Sequence, residues 1–483
     1  MSIVQNSYMQ KLLKTVYLEG VANNKYQSSP VLASIDKKTW AGGESIKYAA
    51  QYGNGGNFGS VYNMVANNPT SGAKNLEWEM TQGYAFGLFD IDQPEILTSE
   101  SDTGAYMSIL ANKMSACFDG LSKTMAMYLY GGKYGVIDQV KDTGSDITIG
   151  GGSTKGSGIT IAASNTFELT SAGALKMDVG TRFVIATAAE ANKAVPGSDL
   201  LGSNATPVIF TVTAIDDKYV TASASVTGGK VYNGDYIELY SARSGSEARG
   251  FEGFPDIIPT IADRNKTDTR WQNYIKTAFR GVDRSVNADR LAGQFVKAEA
   301  SGESRLTDAL VTLLKKTKRA GGLNNMIIIN DETWEQVGKE LGLAANMRQL
   351  SNVGSNKNKA TFGVSELATA FGDAFIDRTV IDPYCTEGTA YSIEKDDLVF
   401  YDLGNVSKVL SPVSNGQMGK YDIKNVGEQG IGTEPTAKLN MDKLFTITPG
   451  AAGEYGPAFT ISANVYGNFM LRKTASAGVA VLK

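Results

Sequence analysis

The segment 143–246 constrains the fold of this 483-residue chain more than any other part of the sequence. Thr, Ser, Gly, Ala and Val dominate it, and turn clusters such as GGGSTKGSG separate short runs that favour strands. These runs are Asp146–Ile149, Gly158–Ala162, Phe183–Ala186, Pro207–Ile215, Tyr219–Ala224 and Asp235–Tyr240. Short strands with no long helix between them predict a small closed barrel or sandwich. Because mixed helix and strand character resumes on both sides, we expect an inserted domain whose ends lie close together.

Residues 39–92 predict a long β-hairpin, because apolar residues alternate with polar ones on both arms. The connection Gly53–Gly72 is much longer than the roughly 2–5 residues of an ordinary hairpin loop. Its tip holds apolar side chains that need a surface to cover, either their own domain or a second subunit. We predict the second, and the candidate inter-subunit contacts are Phe58, Val61, Tyr62, Met64, Val65 and, on the return arm, Trp78.

Two further patterns organise the rest of the chain. A continuous apolar stripe over 104–130 predicts a long helix that ends at Gly131-Gly132, with Cys117 as a packed, inert thiol on the stripe. Residues 301–345 predict an α/β unit in which a helix ending in a basic run precedes the buried strand Met326–Ile329. Asn330 or Asp331 is expected to cap the helix that follows this strand.

Histidine is absent from the sequence, and this excludes several kinds of site. Without it there is no Ser-His-Asp triad, no Cys-His pair and no His-ligated zinc. Cys117 and Cys385 cannot form a four-cysteine metal site, and no intact phosphate-binding motif is found. The sequence therefore predicts no catalytic residues, no cofactor and no metal, and a formal charge of −4 gives no global attraction for nucleic acid.

The order of these elements resembles the major capsid proteins of tailed double-stranded DNA bacteriophages. The resemblance is carried by YAFGLFDIDQPEI (84–96) leading into the helix GAYMSILANKMSACFDGLSKTMAMYLYGG (104–132), and by ALVTLLKKTKRAGGLNNMIIINDETWEQV (309–337). The segment TAYSIEKDDLVFYDLG (389–404) is similar to late strands of that family. The implied fold class is α+β: the tailed-phage capsid fold with an inserted all-β barrel, a feature of a subset of the family.

The resemblance implies a role for each segment. These are an N-terminal arm (1–38), an extended-loop hairpin (39–92), a peripheral domain with the spine helix (93–142 and 247–300), the inserted barrel (143–246), an axial domain (301–430) and C-terminal strands returning to the peripheral domain (431–483). The barrel is expected to stabilise its subunit or to bridge neighbours.

The implied function is structural and not enzymatic. The chain would assemble with itself into pentamers and hexamers of an icosahedral shell around double-stranded DNA, which it would enclose without sequence-specific binding. Portal, scaffolding and decoration or head-closure proteins are the implied partners. The implied location is the virion, after assembly in the host cytoplasm, and no segment is predicted to span a membrane.

Two other functions stay open at the level of sequence. An encapsulin-like nanocompartment shell would share the fold and hold protein cargo. A carbohydrate-binding or adhesive β-protein would instead use the barrel as its binding module, with Tyr219, Tyr232, Tyr236 and Tyr240 as candidate aromatics.

Overall fold

The structure is a computed structural model, and it describes a defined part of the chain. The described residues are 29–40, 44–53, 59–62, 74–92, 109–141, 146–149, 153–156, 159–187, 196–197, 199–244, 247–259, 279–298, 306–322, 326–340, 370–371, 374–375, 378–402, 445–449 and 458–482. The chain divides into a larger unit (Ser29–Gly83, Ala126–Asp402 and Gly467–Lys483) and a smaller unit (Met1–Ser28, Tyr84–Met125 and Leu403–Tyr466). The predicted N-terminal arm lies largely outside the described residues.

Helices and strands alternate along the described residues in a mixed α+β pattern. The helices are α1 (Pro30–Ser34), α2 (Ile109–Gly131), α3 (Phe254–Ile257), α4 (Ala288–Leu291), α5 (Leu306–Arg319) and α6 (331–340). The strands are β1 (Asp36–Thr39), β2 (Ser45–Gly53), β3 (Lys74–Thr81), β4 (Gly83–Asp92), β5 (Val136–Lys141), β6 (Asp146–Ile149), β7 (Ser153–Gly156), β8 (Ile159–Thr160), β9 (Ser164–Leu169), β10 (Arg182–Ala186), β11 (Phe210–Asp216), β12 (Tyr219–Ala224), β13 (Lys230–Val231), β14 (Tyr236–Leu239), β15 (Arg243–Ser244), β16 (Glu247–Ala248), β17 (Gln294–Lys297), β18 (Met326–Ile329), β19 (Ala370–Phe371), β20 (Ala374–Phe375), β21 (Arg378–Ile381), β22 (Thr389–Ile393), β23 (Leu398–Asp402), β24 (Phe445–Pro449), β25 (Ala458–Leu471) and β26 (Gly478–Val481).

The predicted barrel is confirmed, with strand order β10-β11-β12-β9-β5-β14. Its first strand, β5, begins at Val136, ahead of the predicted boundary at 143, and β9 was not among the predicted runs. Two predicted runs lie outside the closed ring, since β6 pairs with β7 and β8 pairs with β13.

An aromatic cluster fills the barrel. Phe167, Phe183 and Phe210 are fully buried, with ring centroids 5.2–6.3 Å apart. Alternate residues of β9 point inwards, which is the period of two expected for a strand with one buried face. The interior of the barrel is therefore a packed core.

The barrel is tied to the α/β part of its own unit. Lys218, in the turn between β11 and β12, donates to Glu332 at 3.4 Å and to Glu387 at 3.3 Å. At the other end of the barrel, the buried carboxylate of Glu238 accepts from Arg243 at 2.6 Å and from the backbone N–H of Gly197. Burial raises the pKa of Glu238 to about 7, and Arg243 opposes that rise.

The α/β unit predicted over 301–345 is confirmed by a five-stranded sheet of order β17-β26-β22-β18-β21. Helix α5 packs its apolar face on this sheet, where Leu310 and Leu313 join Ile329 and Val337 in one buried cluster. Asn330 accepts from the backbone N–H of Glu332 and so caps α6, as predicted.

The remaining strands complete each unit separately. In the larger unit, β1 pairs in parallel with β23, and residues 467–471 of β25 pair with β23 in antiparallel. In the smaller unit, β24 pairs in antiparallel with residues 459–463 of β25. Helix α2 ends at Gly131 as predicted, because Gly132 adopts a φ of +71° and its N–H closes the last turn onto Tyr128.

Cys117 is half-buried and not fully packed, although burial still raises the pKa of its thiol. Among the helices of the described residues, none is both long and apolar enough to cross a membrane.

We predict that Phe210→Ala will destabilise the barrel by about 3–5 kcal/mol, because it opens a cavity beside Phe167 and Phe183. Tyr219→Ala is the matched control, since this aromatic residue lies on the next strand and is about half exposed. The denaturant midpoint and amide exchange of β10 and β11 measure the effect. Equal midpoints for the two variants would show that the aromatic cluster does not hold the barrel closed.

Candidate assembly surface

The predicted hairpin is confirmed over β2 and β3, which form a two-stranded sheet, whereas β4, at the end of the predicted range 39–92, pairs with β25. Tyr48 lies opposite Trp78 and Lys47 opposite Glu79, so the apolar residues of the two strands share one face. On the exposed face, Lys47 forms ion pairs with Glu77 at 3.4 Å and Glu79 at 3.9 Å. Nine residues of β2 extend about 30 Å, and a lone two-stranded hairpin of that kind is marginally stable in water. It therefore needs an anchor.

Trp78 is part of that anchor. Its side chain is therefore not available as one of the candidate inter-subunit contacts. Its side chain is only 2% exposed within its own chain. It stacks on Tyr48 at 6.3 Å and meets the edge of Phe279 at 5.8 Å. The prediction of a contact at Trp78 rested on strand alternation alone, and alternation does not reveal that Phe279 covers this face.

The guanidinium group of Arg280 holds the hairpin in place with hydrogen bonds from all three of its nitrogens. Nη1 donates to the Tyr48 hydroxyl at 2.9 Å, Nη2 to the Phe469 carbonyl at 2.6 Å and Nε to Glu252 at 2.7 Å. Its own carbonyl, on a residue with φ of +52°, accepts from the N–H of Glu79. Burial alone would lower the pKa of Arg280, but Glu252 and Tyr48 outweigh it and raise the pKa. The guanidinium thus remains charged inside the fold.

A second arginine, Arg290, reaches the hairpin at the end nearer the tip. Its Nη1 donates to the carbonyl of Tyr52 at 2.6 Å. Sequence analysis missed Arg280, Arg290 and Glu252, because nothing in their spacing sets them apart from other charged residues. The hairpin is therefore held at two positions along β2.

The described part of the hairpin tip, residues 59–62, presents apolar side chains to solvent. Tyr62 is 82% exposed and Val61 is 52% exposed. Phe58, Met64 and Val65, the other predicted contacts at the tip, lie outside the described residues. Large apolar side chains that are exposed together are typical of a surface that binds another protein.

The smaller unit carries an apolar strand face of its own. Phe86 is 55% exposed and Leu88 is 67% exposed, and both lie on the same side of β4 as the half-buried Tyr84. Tyr466 packs edge-on against Tyr84 and Phe86 at 5.7 and 5.9 Å. The predicted alternation of this strand is present, but its apolar face is the open one.

The other candidate sites are a metal centre and the tyrosines of the barrel. Within the described ranges, no three His, Cys, Asp or Glu side chains come together as metal ligands. Of the barrel tyrosines, Tyr219 and Tyr240 are exposed, whereas Tyr232 and Tyr236 are partly buried. Tyr236 packs against Val184 and Leu200.

Comparison with solved structures finds similar chains. One is the cyanophage A-1(L) capsid asymmetric unit, at 12% identity and a TM-score of 0.48 over 98% of both chains. Others are a Mycobacterium phage Ogopogo structure (8%, TM-score 0.41, 99% of both chains) and the capsid of an empty GTA particle (8%, TM-score 0.41, 99% of this chain and 96% of that one). Capsid structures are thus among those that the chain is similar to. No family model and no curated protein matches the sequence.

We predict that Arg280→Lys will loosen the hairpin, because an ammonium group cannot satisfy Tyr48, Glu252 and the Phe469 carbonyl together. Amide exchange in β2 and β3 should rise at least tenfold, while amides of the barrel keep their wild-type rates. Lys47→Met is the matched control, since it removes only exposed ion pairs, each contributing about 0–1 kcal/mol. Unchanged exchange in Arg280→Lys would mean that this residue does not anchor the hairpin.

Proposed function

We propose that this chain is the major capsid protein of a tailed double-stranded DNA bacteriophage. In this proposal its copies form pentamers and hexamers that close into an icosahedral shell around the genome. The order of elements in the sequence supports it: a hairpin, a long helix, an inserted barrel, an α/β unit and final β-strands. The observation that carries the proposal is a hairpin fixed at its base by Arg280 whose tip exposes Val61 and Tyr62.

The chemistry of the hairpin suits a contact between copies. Burying one large apolar side chain contributes about 1.5–3 kcal/mol to binding. A few tip residues per subunit therefore make each contact between two subunits weak by itself. When head-to-tail contacts close into a ring, the same weak contact is formed at every subunit. The rigid base limits the entropy lost when the tip binds, since the anchored strands are already ordered.

The partners and location follow from the same proposal. Portal, scaffolding and decoration or head-closure proteins would meet the shell, and the virion would be its location after assembly in the host cytoplasm. The resemblance supports these assignments, and none of them requires an enzymatic activity.

We predict that Val61→Ser combined with Tyr62→Ser will block particle formation and leave the subunit folded, because both side chains are exposed in the single chain. Electron microscopy and gradient sedimentation of the expressed protein measure assembly, and the denaturant midpoint measures folding. The matched control is Val179→Ser with Val226→Ser, two exposed apolar residues in the barrel region.

The control should assemble like the wild type. Normal particles from the tip variant would show that the tip is not an assembly contact. An insoluble tip variant beside a soluble control would show that the tip belongs to the core of its own subunit.

A further inference from the structure

A basic groove lies beside residues 49–52 of the hairpin, and one of its cations, Arg290, is also the residue that donates to the Tyr52 carbonyl. It has a volume of about 810 Å³ and is bounded by residues 49–52, 289–294, 316–321 and 472–476 of the larger unit. Five cationic side chains line it against the single carboxylate of Asp289: Arg290, Lys316, Arg319, Arg472 and Lys473. A chain with a net charge of −4 thus concentrates positive charge at this place.

Three of these cations have no ion-pair partner among the described residues. Arg290 donates to the carbonyl of Tyr52, and Lys316 donates to the carbonyl of Phe295 at 2.8 Å. Carbonyl groups accept hydrogen bonds but carry no full negative charge. Among the described residues, Arg290, Lys316 and Arg319 form no ion pair with a carboxylate, whereas Lys473 pairs with Glu394 and Asp397. Within the part of the chain that the structure describes, three full positive charges therefore line the groove without an ion-pair partner.

Stabilisation of a helix end does not explain this arrangement. Lys316 and Arg319 lie in the last turn of α5, where cations commonly interact with the helix dipole. However, Lys316 reaches away from its own helix to a carbonyl of β17. Arg290 and Arg472 come from other parts of the chain, so four separate segments bring their residues to one groove.

The rest of the lining indicates which anion fits. Apart from Leu291 and the ring of Tyr52, the uncharged lining residues are small or polar, so the groove offers little apolar surface for the anchor side chains of a bound peptide. Thr474 and Ser476 also line the groove, but their hydroxyls donate to the carbonyls of Arg290 and Lys473 within the fold. Guanidinium and ammonium groups form charge-assisted hydrogen bonds with phosphate oxygens, and phosphate contacts of this kind carry no sequence information.

We propose that this groove binds the phosphate backbone of double-stranded DNA without reading its sequence. Its choice of ligand rests on the proposed function, in which the shell encloses DNA. Each phosphate that a cation contacts releases counterions, so binding weakens with salt by a slope of about −0.9 per contact. Three unneutralised cations give an expected contribution of about −2.7 to that slope.

The test uses the full-length soluble chain and a short fluorescent duplex of arbitrary sequence. Anisotropy titrations between about 50 and 200 mM salt give the slope. The variant is Arg290→Gln, Lys316→Gln and Arg319→Gln together. The matched control is Lys38→Gln, Lys74→Gln and Lys230→Gln, three exposed lysines outside the groove that change the net charge equally.

The groove variant should lose about two to three units of slope and bind the duplex at least tenfold more weakly, while the control keeps the wild-type slope. Arg319→Gln alone should lose about one unit, and it guards against misfolding, because Arg319 has no hydrogen-bond partner among the described residues. Equal losses in both triple variants, or no binding by the wild type, would overturn the proposal.

Two further measurements distinguish DNA binding from other roles of the groove. Binding of inorganic tripolyphosphate without binding of the duplex would assign the groove to a small phosphate compound and overturn the DNA proposal. Particle yield, measured in parallel, tests the proposed function separately. Because Arg290 also holds the hairpin, the assembly readout uses Arg319→Gln alone: if this variant binds DNA normally but no longer assembles, the groove is a contact between copies.

Discussion

The buried guanidinium of Arg280 is the interaction on which the hairpin depends. Two strands alone bury too little apolar surface to remain ordered in water, so their stability must come from the body of the larger unit. Arg280 supplies it by joining residues from three distant parts of the sequence: Tyr48, Glu252 and the carbonyl of Phe469. Each bond satisfies a donor that would otherwise be buried without a partner, which makes the set cooperative. The exposed tip can be presented because the base cannot move freely.

The inserted barrel is a separate solution to the same problem of stability. It closes its own sheet, which leaves no open edge to pair with another chain, and fills the interior with three phenylalanine rings. It contacts the α/β part of its own unit through Lys218. Of the two roles expected from the sequence, these contacts favour stabilisation of the subunit that carries the barrel.

Apolar residues with a period of two or 3.6 were sufficient to predict the hairpin, the long helix, the α/β unit and most of the barrel. They failed for β5 because Asp138 points inwards there and breaks the apolar alternation. Its carboxylate is buried and accepts from Ser171 and from the N–H of Gly173. The burial of Trp78 could not be predicted either, since Phe279, which packs against it, lies far away in sequence. Local pattern finds strands, whereas burial and anchoring depend on contacts between distant segments.

Direct imaging of the purified wild-type chain tests the central claim, that this subunit is built to bind copies of itself. Cryo-electron microscopy combined with analytical ultracentrifugation, over a range of protein and salt concentrations, distinguishes closed particles from single subunits. We predict rings of five and six subunits and closed shells. A chain that stays monomeric at every concentration, and also when the other head proteins are expressed with it, would contradict the proposal.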